Sequence, residues 1–84
     1  METIVAIDLG KNKSVFCELD RGSLKTQYRT VRTRPELFHD LFAELDVKQS
    51  IVLFEVGNQA GWVADMLRSM GLGSKVANTN DPAW

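Results

Sequence analysis

One cysteine in 84 residues, Cys17, excludes an internal disulfide. A reduced, cytoplasmic setting is the simpler expectation. No apolar run approaches the ~20 residues that a membrane span needs, and the start Met-Glu-Thr has no basic n-region. A single histidine, His39, has no second His or Cys at ligand spacing, so its expected place is the helix surface. Net charge is close to zero, at −1, so the chain as a whole makes no case for nucleic acid or membrane. There is no internal repeat and no low-complexity stretch.

What is present suits one small domain. The hydrophobic fraction is 44% and the charged fraction 25%, ordinary for a globular protein. A chain of this length buries only ~60–65% of its unfolded surface, so its stability is marginal. Charge is unevenly spread. From Arg21 to Arg34 there are five basic residues (Arg21, Lys25, Arg29, Arg32, Arg34) and no acid, and the segment 36–46 is acidic.

Periodicity predicts the order β-β-β-α-β-α-β. Residues 2–8 read as a central strand, because Ile4 to Ile7 is apolar on both faces. Leu9 to Asn12 is a turn in which Gly10 is free to take a positive φ. Residues 13–19 alternate and form an antiparallel hairpin with the first strand. Residues 24–32 are polar on both faces, as suits an edge strand. Thr33 is the expected N-cap of a helix with Pro35 in its first turn. Its apolar stripe is Leu37, Phe38, Leu41, Phe42 and Leu45. Residues 50–55 make the fourth strand. Asn58 is the expected N-cap of a second helix carrying Trp62, Val63, Met66, Leu67 and Met70. Gly71 closes it, and residues 74–77 make a fifth strand. Residues 78–82, with Asp81, read as a loop. Cys17, Trp62, Met66 and Met70 are expected in the core. The further helix that would cover this sheet is missing from the order, which reads as the front part of a longer protein.

Two strands end on a carboxylate, Asp8 and Glu55, and each is followed by glycine within two residues. Neighbouring strands lie ~4.8 Å apart, so the pair could share one divalent cation. Two like charges so close repel unless a cation or proton neutralises them. Small sets of oxygen ligands suit Mg²⁺ or Mn²⁺. The bland alternative is that Asp8 caps a turn and Glu55 is solvated. The loop 8–13 could set backbone amides, Lys11 and Lys13 near a phosphate, or be a polar hairpin turn. The basic stretch, with Lys25, Arg29, Arg32 and Tyr28, could follow a nucleic-acid backbone, or be a solvated edge. The N-terminus of the second helix offers free amides beside Glu55, or is simply capped.

Three motifs carry a resemblance: Val5-Ala6-Ile7-Asp8-Leu9-Gly10-Lys11-Asn12-Lys13, then Leu53-Phe54-Glu55-Val56-Gly57-Asn58, then residues 71–78. The chain resembles the N-terminal RNase H-like (RuvC-like) domain of DEDD transposases from bacterial insertion sequences. The resemblance implies an RNase H-like α/β fold with the first and fourth strands adjacent. It also implies Asp8 and Glu55 as the first two acids of a two-ion Mg²⁺ or Mn²⁺ site that cuts and rejoins DNA. The remaining acids would fall beyond Trp84, so residues 1–84 would be a partial, inactive catalytic domain. DNA, a guide RNA and a homo-oligomeric complex are implied as partners. Many relatives have Thr where this chain has Val56.

Two rivals stand beside it. Sugar kinases and Hsp70-type ATPases also open on Ile-Asp-Leu-Gly. In an ATP-binding domain of that kind, loop 8–13 would cradle phosphates, Asp8 would meet Mg²⁺ through water, and Glu55 would have no required place. The other rival is a non-catalytic self-associating module, since an open sheet edge or face invites pairing.

Overall fold

The computed structural model describes residues 2–55, 57 and 59–77. Seven elements follow in order: β1 (Thr3–Asp8), β2 (Lys13–Asp20), β3 (Lys25–Arg32), α1 (Pro35–Ala43), β4 (Ser50–Glu55), α2 (Ala60–Ser69) and β5 (Gly73–Ala77). The predicted order holds, and boundaries move by a residue or two. Val56, Asn58 and the loop 78–82 with Asp81 lie outside the described residues.

The five strands make one mixed sheet in the order β3-β2-β1-β4-β5. β1 pairs antiparallel with β2 and parallel with β4. The short loop 9–12 permits only the antiparallel return, and the α1 crossover permits the parallel one. β3 is an edge, as its polar faces require.

Alternation fixes what each face does. Val5, Ile7, Phe16, Val52 and Phe54 point to one face and are buried there against Phe38 and Phe42 of α1 and Val63 and Leu67 of α2. Phe38 is fully enclosed, with ring centroids 4.8 Å from Phe16 and 5.0 Å from Trp62. Trp62, Met66 and Met70 are only partly buried at the margin of this core. Cys17 corrects its expectation too. It alternates with Phe16, faces away from the helices, and is half-buried on the other side of the sheet.

The helix ends are set differently. α1 begins at Pro35 with Arg34 as N-cap and no side-chain cap. Thr33 is not the cap, because its hydroxyl is engaged elsewhere. The N-cap of α2 is Gln59, whose Oε1 accepts from Trp62 Nε1 at 2.6 Å. α2 closes at Gly71, φ 75°, as expected. The Gly71 amide donates to the Arg68 carbonyl and the Leu72 amide to the Leu67 carbonyl, a Schellman closure. No helix of the described residues is long and apolar enough to cross a membrane.

Candidate functional site

Asp8 is the last residue of β1 and Glu55 the last of β4. The parallel register runs Ile7 to Phe54, so the two acids sit one step beyond on adjacent strands. Both alternate with inward residues, so both project on the face away from the helices, and both are exposed. They line one shallow concavity with Ala6, Val15, Cys17, Tyr28 and Leu53. The expected adjacency therefore holds. Carboxyl ends of strands in an open α/β sheet are where ligands bind.

Beside Asp8, loop 9–12 is locked by three hydrogen bonds. The Gly10 amide donates to Ser14 Oγ at 3.3 Å, and Thr33 Oγ1 donates to the Gly10 carbonyl at 2.8 Å. Ser14 Oγ and Thr33 Oγ1 are 2.6 Å apart. Proton bookkeeping closes the ring: the Thr33 proton goes to Gly10, so the Ser14 hydroxyl donates to Thr33. Ser14 is fully buried, so every polar atom there needs such a partner. Gly10 is required for a steric reason. Its φ is not positive, but a Cβ there would lie 2.2 Å from the Lys13 carbonyl oxygen. The Gly10 amide is turned inward and is not available to a phosphate.

The outside of this loop is basic. Lys11, Asn12 and Lys13 face Arg32, Thr33 and Arg34 across a cleft of about 270 Å³. Lys13 and Arg32 are a cross-strand pair. Among the described residues none of these four cations has an acidic partner within ion-pair distance. The structure thus gathers Lys11, Lys13 and Arg32 at one cleft. It adds Arg34, which the sequence shows only as one more residue of the basic run. Lys25 and Arg29 do not join them. Lys25 pairs with Asp20 at the opposite end of β3. Arg29 lies on the helix side and meets Glu44 at 3.7 Å.

On the open face Tyr28 opposes Cys17 across the β2–β3 pair. Its hydroxyl is raised above the usual tyrosine value, first by the hydrogen bond to Cys17, then by the like charge of that thiolate, then by desolvation. His39 is exposed, 4.0 Å from Asp40, and takes no part in the site.

Among the described residues no group of three or more His, Cys, Asp or Glu side chains gathers as a metal cage. Two neighbouring carboxylates beside unpaired cations fit a single hydrated ion with phosphate ligands. They do not make up the three or four carboxylates of a two-ion site.

No family model and no curated protein matches the chain. Its fold matches solved structures. The type II variant of the Aquifex aeolicus Ppx/GppA phosphatase covers 94% of this chain at 14% identity, with a TM-score of 0.50. A second structure, the Aquifex aeolicus PPX-GPPA enzyme, covers 90% at 15% identity, with a TM-score of 0.47. The chain spans 36% of the length of each. At such identity the likeness is one of fold alone.

This corrects the resemblance to DEDD transposases, together with the insertion-sequence recombination and RuvC-like chemistry it implied. The error has a physical source. A central strand that ends in an acid and a tight glycine turn serves any ligand at a sheet's carboxyl edge, so the motif does not identify the chemistry. The coarse fold class, a mixed five-stranded α/β sheet, stands.

Proposed function

We propose that this chain is a phosphate-binding domain of the actin-like ATPase type, taking the phosphates of a nucleotide such as ATP on the β1–β2 loop. One observation carries the reading: four cations without acidic partners among the described residues converge on one cleft beside an exposed strand-end carboxylate. Like charges held together repel, and a polyphosphate relieves that repulsion. Lys11 and Lys13 act as point charges on phosphate oxygens. Arg32 and Arg34 add planar, two-pronged contacts. The Gly10–Ser14–Thr33 ring holds the loop in shape before the ligand arrives, which lowers the ordering cost of binding.

Asp8 would hold Mg²⁺ (or Mn²⁺), with Glu55 able to add a contact through water. When bound, the ion neutralises charge on phosphate oxygens. The residues here account for binding and orientation, and we assign them no turnover.

Titration calorimetry with ATP tests this. Replacing both Lys11 and Lys13 by Ala lowers affinity at least about tenfold, which corresponds to ~1.4 kcal/mol. Asp8→Asn removes the gain in affinity that Mg²⁺ gives, while Glu55→Gln keeps most of it. ATP binding that ignores the double lysine replacement would overturn the reading, as would no binding at all.

A further inference from the structure

The four cations of the cleft are held in two different ways. Lys13 and Arg32 are cross-strand partners in the β2–β3 ladder, so paired backbone sets their separation. Lys11 and Arg34 lie outside the strands, one on the loop and one just ahead of α1. No ladder joins those two.

Thr33 does. Its amide donates to the Asn12 carbonyl at 2.9 Å, which carries the pairing of β2 and β3 one step past Lys13. Its hydroxyl donates at 2.8 Å to the Gly10 carbonyl, and that carbonyl belongs to the peptide unit leading into Lys11. On its other side Thr33 is bonded directly to Arg34, whose backbone is extended. Thr33 is half-buried while Arg32 and Arg34 are exposed, as alternation in an extended chain requires. One hydroxyl thus spaces Lys11 from Arg34, as the ladder spaces Lys13 from Arg32.

We infer that Thr33 determines the specificity of the cleft: it sets the outer pair, Lys11 and Arg34, to take the second and third phosphates of a triphosphate, while the inner pair, Lys13 and Arg32, takes one phosphate. The inference rests on the phosphate reading and names what that site selects, the number of linked phosphates. A single phosphate carries about −2 charge, which the inner pair offsets. Each phosphate added to it then needs a cation of its own. A preset outer pair meets them without the cost of ordering two long side chains. Without the Thr33 hydroxyl the loop no longer holds Lys11 against Arg34, and only the ladder-held pair keeps its place.

Titration calorimetry compares ATP with AMP, without Mg²⁺ so that Asp8 takes no part. In the wild-type chain ATP binds about a hundredfold tighter than AMP, about tenfold for each added phosphate. Thr33→Val has nearly the same shape without the hydroxyl. It brings the ratio below about tenfold and leaves AMP affinity within about threefold of wild type. Thr33→Ser, which keeps the hydroxyl, keeps the ratio. A folding defect would weaken both ligands together, so the ratio isolates positioning, and far-UV circular dichroism checks the fold. Amide resonances of the wild-type chain decide the matter without any variant: AMP moves those of Lys13 and Arg32, and ATP moves those of Lys11 and Arg34 as well. Equal affinity of the wild-type chain for ATP and AMP overturns the inference. So does a Thr33→Val chain that keeps the full ratio, and so do Lys11 and Arg34 resonances that move equally with AMP. Each of these leaves the phosphate reading standing, whereas a wild-type chain that binds neither ligand removes both.

Discussion

Gly10, Ser14 and Thr33 show how a loop of four residues is fixed by atoms beyond it. Gly10→Ala forces a Cβ against the Lys13 carbonyl, which is backbone and cannot swing away. It should cost about 1–3 kcal/mol in chemical denaturation, as overpacking does. Ser14→Ala leaves the Gly10 amide without its acceptor and should cost about 1–3 kcal/mol in the same measurement. Tyr28 gives a pH prediction with a definite sign. It is the sole tyrosine, so its phenolate absorbance titrates without overlap from another tyrosine. Its midpoint should lie above the usual value of about 10, and Cys17→Val should bring it down. The neutral phenol is favoured in the folded chain. Its contribution to stability is therefore present below pH ~10 and is lost as pH rises through the higher folded value. The sequence marks Gly10 as a turn residue with a free φ, and the structure adds the steric reason for it. The close approach to Lys13 depends on how the hairpin closes, and Thr33 finds its partner 23 residues away. Neither fact is written in local spacing.

At the scale of elements the sequence is legible wherever the cause is local. Apolar residues recurring at helical spacing give both helices, and Gly71 gives the end of α2. Gly71→Ala at φ 75° should destabilise by about 1 kcal/mol. Leu67→Ala, which empties a fully buried position next to that closure, should cost about 2–5 kcal/mol. Thermal unfolding would rank the two, with Leu67→Ala the lower-melting. What local spacing does not carry is which face each strand residue takes once the helices dock. Cys17 reads as a core residue because it alternates among apolar neighbours, yet α1 and α2 both settle on the Phe16 side. Arg29 reads as a ligand-facing cation, yet one-residue alternation turns it to Glu44. A charge run in a strand is divided between two faces, so only part of it can serve any one site.

For the whole molecule, the order of elements was legible along the chain and the sheet order was not. The adjacency of β1 and β4 was implied only by the resemblance, and the parallel register shows it. The chemistry does not follow, because one sheet edge accommodates several kinds of ligand. The lock around Gly10 has one more consequence, in the motions of the chain. Its outer clasp, Thr33, follows directly on β3, the edge strand, and edge strands are the first to open. When β3 frays, Thr33 withdraws and the loop loses its shape. The exchange rate of the Gly10 amide should therefore track that of the β3 amides rather than those of central β1, so the outermost strand sets how often the ligand loop comes undone.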